Sequence, residues 1–161
     1  MSDSKRVKWG ILSTAKIARE KVIPAMQKSD LCEVLGIASS NTAKVQEIAA
    51  HLSIPVIYNS YEELLADKNI DAVYIPLPNH LHVQWAMNAL KAGKHVLCEK
   101  PIGLTAEEAT KLLELSEQFP QLVIMEAFMY KFHSQWKKSS GAGKGWKDRR
   151  TETGTIFLFL F

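Results

Sequence analysis

Short apolar runs alternate with helix-spaced apolar positions from residue 7 to about residue 126. The runs Val7–Leu12, Glu33–Ala38, Pro55–Ile57, Asp71–Ile75, Lys94–Cys98 and Leu122–Ala127 read as strands. Between them, Ala15–Gln27, Thr42–Leu52, Ser60–Ala66, Asn79–Lys91 and Thr105–Phe119 carry helical spacing. Pro24 lies inside the first of these helices, where a missing N–H kinks or ends a helix. Ser60 with Glu63, and Thr105 with Glu108, have the spacing of capping boxes, in which each residue satisfies the other's free amide. Asn79 is placed to cap the fourth helix, and Gly93 to end it.

This alternation predicts an α/β fold, a doubly wound parallel sheet with helices on both faces. The strands are apolar throughout, as strands covered on both faces must be. Open sheets of this kind bind ligands at the carboxyl ends of their strands. That rule puts the Leu12–Ala15 turn, Ser39–Ser40, Pro76–Asn79, Glu99–Pro101 and Glu126–Phe128 on one rim.

The first turn carries small residues where a dinucleotide fingerprint has glycine: Ser13, Ala15 and Ala18. Small residues let the backbone approach a pyrophosphate, and the free amides of the following helix attract it. The hydroxyls of Ser13 and Thr14 add donors. None of these residues takes a positive φ as easily as glycine, and a plain compact strand-to-helix turn is the alternative. The second strand ends Ile37-Ala38-Ser39-Ser40-Asn41 with no carboxylate to bind a ribose 2′-hydroxyl, and Lys44 follows one helical turn later. This set favours NADP, with NAD as the alternative. Equally, Ser39–Asn41 serves as a capping turn and Lys44 as a solvated charge. Lys100 closes the fifth strand in front of Pro101. A lysine held and partly desolvated at a strand end exchanges protons more readily near neutral pH, which suits the proton step that accompanies hydride transfer.

Four segments, Trp9–Ala18, Tyr74–His82, Ala92–Pro101 and Met125–Tyr130, resemble the Gfo/Idh/MocA oxidoreductases in order and spacing. The glycine-poor turn is similar to that of the dihydrodiol and xylose dehydrogenase-like branch. The resemblance implies a Rossmann dinucleotide-binding domain over residues 1–130 and hydride exchange between nicotinamide and a sugar, polyol or trans-dihydrodiol. It makes Lys100 the catalytic lysine, with Glu99 and Pro101 positioning it. It assigns Gly10, Ser13, Thr14, Ala15, Lys16 and Ile17 to the pyrophosphate turn, and Ser39, Ser40 and Lys44 to the 2′-phosphate. Leu77, Pro78, Asn79 and His82 fall along the nicotinamide ribose, with Glu99, Lys100, Pro101 and Glu126 at the nicotinamide end. His80 and His82 equally serve to cap or pack.

Relatives continue into a second α/β domain and are homo-oligomers, whereas the family pattern stops here near Trp136. Residues 131–161 are expected to be an aberrant remnant of the start of that substrate domain, the product of a shifted reading frame. An ordinary polar linker followed by a terminal strand is the alternative. A chain without that domain is expected to bind dinucleotide weakly and turn over little substrate, because water reaches Lys100. A non-catalytic nucleotide-binding fragment is thus the competing reading.

Composition narrows the remaining classes. Hydrophobic residues are 47% and charged residues 23%, ordinary for a globular domain. Six Lys/Arg against two Asp/Glu lie in residues 137–161, so the net charge of +3 belongs to that segment and no basic stripe points to nucleic acid. No apolar run approaches the roughly 20 residues of a membrane span, and no signal peptide opens the chain, so a cytoplasmic location is expected. Cys32 and Cys98 have neither metal nor disulfide spacing, so no metal site is expected and the partner is a small molecule.

Overall fold

The computed structural model describes residues 6–129 and the backbone of Ile156–Phe157. The expectations for residues 131–155 and 158–161 lie outside the described residues. Seven parallel strands form one sheet: β1 (Val7–Leu12), β2 (Cys32–Ala38), β3 (Val56–Tyr58), β4 (Ala72–Ile75), β5 (His95–Cys98), β6 (Ile124–Glu126) and β7 (Ile156–Phe157). Their order is β3-β2-β1-β4-β5-β6-β7. The six strands expected from the apolar runs are all present, in the order of a dinucleotide-binding sheet. β7 adds a two-residue parallel edge beside β6, with Ile156 opposite Ile124.

Successive strand residues feed opposite faces. Leu12, Val73, Ile75, Val96 and Ile124 pack under α3 (Tyr61–Ala66), α4 (His82–Lys91) and α5 (Ala106–Ser116). Ile11, Ile37, Val34 and Tyr74 pack under α1 (Ile23–Gln27) and α2 (Thr42–His51). All four residues of β4 are buried, so the central strand tolerates no solvated face.

Pro24 does not end the first helix. The backbone widens to a π-helical turn over Ala18–Val22, where the Ile23 N–H reaches back to the Ala18 carbonyl, and regains α geometry over Ile23–Gln27. The wider turn absorbs the bond that proline cannot donate. Both capping boxes form, with one difference from the expectation. Ser60 Oγ and Thr105 Oγ1 accept from the Glu63 and Glu108 amides at 3.0 and 3.2 Å. The glutamates reach one residue further back, to the Asn59 and Leu104 amides, each at 2.8 Å. Asn79 makes no side-chain cap; it opens a 3₁₀ turn, Asn79–Leu81, that leads into α4. Gly93, at φ 76°, ends α4 as expected: its N–H goes to Leu90 and that of Lys94 to Ala89.

Gly36 shows why β2 and β3 meet closely. A Cβ at this position would lie 2.4 Å from Tyr58 Cε2 and 3.3 Å from the Val56 carbonyl oxygen. Tyr58 cannot swing away freely, because its hydroxyl donates to Asp67 Oδ2 at 2.5 Å. Gly36→Ala is therefore expected to cost about 1–3 kcal/mol of stability by overpacking, read as a lower urea midpoint at unchanged slope.

Candidate active site

The sheet order reverses between β1 and β4, so the loops leaving these two strands diverge and open a crevice at their carboxyl ends. The first of these loops is Ser13-Thr14-Ala15. Ser13 adopts φ 127°, a conformation that side chains rarely take and that costs about 1–3 kcal/mol. The turn therefore achieves with serine the backbone shape a fingerprint glycine supplies. Two bonds hold it: the Ser13 N–H donates to the Ala38 carbonyl at 2.8 Å, and Ser13 Oγ accepts from the Ala15 N–H at 3.1 Å. Thr14 is buried, with Oγ1 3.4 Å from Ser39 Oγ, tying the turn to the end of β2. Ser13 and Ala15 carry small side chains, and the opening amides of the next helix have no intrahelical acceptor. Both features fit a pyrophosphate.

The neighbouring positions divide. Ile17 is half-buried, and Lys16 is exposed with Nζ 4.0 Å from Glu20. Gly10 lies deeper, in β1, where a Cβ would press on Leu64 Cδ2 at 2.5 Å. It serves the packing of α3 on the sheet and presents nothing to the crevice.

At the end of β2, Ser39 is buried and accepts from the Asn41 N–H at 3.3 Å. Asn41 caps α2 by accepting from the Lys44 N–H at 2.9 Å. The capping turn and the candidate ribose site thus share residues. Ser40 and Lys44 are exposed, and no carboxylate occurs among residues 38–44. Tyr61, a residue not among those expected at the site, is half-buried and meets Trp85 edge-on with ring centroids 4.9 Å apart.

On the other side of the crevice, Leu77 is buried, and Pro78 and Asn79 are exposed. Lys100 and Pro101 stand exposed beyond β5, joined by a cis peptide bond. The partial burial expected of Lys100 is absent among the described residues. Glu99 is half-buried, and its Oε1 accepts from the Tyr74 hydroxyl at 2.5 Å. Burial, then the bond to Glu99, pushes the Tyr74 hydroxyl far above its ordinary range, so it stays a donor. Tyr74 was the second residue missed. A hydroxyl inside an otherwise aliphatic, doubly covered strand must find a partner, and that was the available signal.

His82 and Glu126 sit elsewhere than the resemblance implied. His82 is fully buried, with Nδ1 2.7 Å from the Pro101 carbonyl oxygen and Nε2 2.7 Å from that of Leu77. Neither nitrogen is left for a ligand. Glu126 is also buried and accepts from the Ile102 N–H at 2.8 Å; burial raises its carboxyl above the ordinary value. Both act on the Lys100 loop from below. Among the described residues no group of His, Cys, Asp or Glu could hold a metal ion, and no helix is long and apolar enough to cross a membrane.

Residues 7–127 match the family described as an oxidoreductase family with an NAD-binding Rossmann fold, the GFO_IDH_MocA family. The chain belongs to this family. Among curated proteins it is similar to an oxidoreductase of Rhizobium meliloti, 49% identical over 130 residues, which are 81% of this chain and 39% of that protein. It is also similar to D-xylose 1-dehydrogenase (NADP(+)) 2 of Haloferax volcanii, 49% identical over 125 residues, 78% of this chain and 38% of that one. A solved 3-ketoreductase from Actinomadura kijaniata, in complex with NADP and TDP-benzene, superposes with a TM-score of 0.79 at 33% identity. That superposition covers 85% of this chain and 42% of the ketoreductase. The chain therefore spans about two fifths of the length of the curated relatives it matches.

Proposed function

We propose that this chain is the NADP-binding half of an oxidoreductase that exchanges hydride between nicotinamide and a C–OH or C=O carbon of a sugar, polyol or trans-dihydrodiol. The observation that carries this reading is the shared rim. A glycine-poor turn open to phosphate, a carboxylate-free β2 end followed by Lys44, and Lys100 all lie at the carboxyl ends of one parallel sheet. The relatives support the substrate class: they include the xylose dehydrogenase, dTDP-3,4-didehydro-2,6-dideoxy-glucose 3-reductases and a trans-1,2-dihydrobenzene-1,2-diol dehydrogenase.

When bound, the nicotinamide supplies the hydride donor or acceptor. The chain's own residues do the rest. The Thr14 N–H and the free N–H groups that open the helix after the turn hold the pyrophosphate. Ser39, Ser40 and Lys44 hold the adenosine 2′-phosphate through hydroxyls and one ammonium. Leu77 and Pro78 give the nicotinamide end an apolar wall. Lys100 Nζ gives a proton to the substrate oxygen during reduction and takes it back during oxidation, while Glu99, fixed by Tyr74, orders the approach to that lysine.

Titration calorimetry with NADP⁺ and NAD⁺ tests the reading. NADP⁺ is expected to bind more tightly, and Lys44→Glu to weaken NADP⁺ by about five- to tenfold with little effect on NAD⁺, because an exposed ammonium–phosphate pair is partly screened. Equal affinity for both cofactors in the unaltered chain would remove the 2′-phosphate site. A second reading, a nucleotide-binding fragment without catalysis, is favoured by the exposure of Lys100. NADPH binding seen in tryptophan fluorescence, without turnover of any aldose or diol, selects it.

A further inference from the structure

The His82 ring lies between two carbonyl oxygens, at 2.7 Å from each. A carbonyl oxygen only accepts, so each contact needs an N–H on the ring side, and a neutral imidazole has one. The ring that makes both bonds therefore carries both protons and a positive charge. A charge in a fully buried side chain needs a compensating one nearby. Glu126, itself buried at the end of β6, supplies it from the other end of the Pro101–Ile102 peptide, where its Oε1 accepts from the Ile102 N–H at 2.8 Å.

Their backbone partners give this pair its purpose. The Pro101 carbonyl and the Ile102 N–H belong to one peptide group. His82 holds its oxygen and Glu126 its nitrogen. That peptide lies one residue beyond Lys100, and the second His82 nitrogen ties it to Leu77, just past the end of β4.

We propose that His82 in its doubly protonated form and ionised Glu126 are a positioning pair that grips the Pro101–Ile102 peptide at both ends and so aims Lys100 into the crevice beside Leu77. Neither side chain touches cofactor or substrate; both act through the loop they hold. The proposal rests on the functional reading above only for what the crevice binds. The ring protonation stands on its own geometry.

Long-range proton–nitrogen correlation spectra of the full chain at pH 7 test it, with the His82 signals assigned by their loss in His82→Gln. Two slowly exchanging ring N–H protons with imidazolium nitrogen shifts are expected. In Glu126→Gln the new amide oxygen still accepts from Ile102, but the charge is gone. His82 is then expected to lose one ring proton, and the Lys100 backbone order parameter to fall from the rigid range of about 0.85 to below about 0.6, with the amide spectrum of the sheet unchanged. A single ring proton in the unaltered chain overturns the proposal, and that measurement needs no variant to fold. An unchanged His82 signature in Glu126→Gln overturns the charge pairing, and an unchanged Lys100 order parameter overturns the positioning. If the unaltered chain binds no dinucleotide at all, the functional reading fails, while the ring signature still decides the pair.

Discussion

Replacing Lys100 by Met is expected to lower hydride transfer by about 10²–10⁴-fold, the range that a positioned general acid or base contributes, while leaving NADP⁺ affinity nearly unchanged. Lys100 stands exposed at the end of β5, and no described side chain depends on its ammonium for a hydrogen bond. The substitution therefore leaves the sheet and the phosphate turn as they are. The measurement is steady-state reduction of a keto-sugar and oxidation of an aldose, using residues 6–129 joined to the substrate domain of a matching ketoreductase or xylose dehydrogenase. A fall in kcat with KM for NADP⁺ preserved places the lysine at the proton step. A fall in cofactor affinity alone would make it a phosphate or ribose contact instead.

The largest effect on stability is expected at the opposite end of the same strand. Lys94 is 5% exposed, and its ammonium donates to the Asp67 and Ile70 carbonyls at 2.6 and 2.8 Å. It thus secures the turn between α3 and β4 from below. Lys94→Met keeps the length of the stem but leaves both carbonyls without that donor. An orphaned buried acceptor costs about 1–3 kcal/mol, so the variant is expected to lose about 2–5 kcal/mol, a large share of a typical domain's stability. Urea unfolding checks the value. Burial lowers the Lys94 ammonium below its ordinary 10.5, partly offset by Asp67 and Asp71. The unfolded chain then binds more protons than the folded one just below pH 10.5, and Lys94's contribution rises with pH across that window. The variant is expected to lose that slope. Cofactor binding should survive at temperatures where the fold does, because Lys94 lies at the amino end of β5, away from the crevice.

Much of this arrangement was legible along the chain because it is local. Apolar runs of four to seven residues marked β1, β2, β4 and β5, and a serine or threonine three residues before a glutamate marked the starts of α3 and α5. The residues on the rim followed once the sheet was taken as parallel. The departures came where the backbone had choices that residue type does not fix. Pro24 admitted either a break or a wider turn, and the chain took the wider turn. Ser13 was disfavoured at positive φ, yet bonds to Ala38 and Ala15 hold it there.

The amino-acid sequence alone determined the order of strands and helices along the chain, the capping boxes of α3 and α5 and the family to which the chain belongs, since these rest on hydrogen bonds and periodicities spanning a few residues. Tertiary structure decided the work of Tyr74, His82, Glu126 and Lys94. Their partners lie 25, 19, 24 and up to 27 residues away. Only a parallel sheet, which sets the ends of non-consecutive strands side by side, brings such groups within hydrogen-bonding reach.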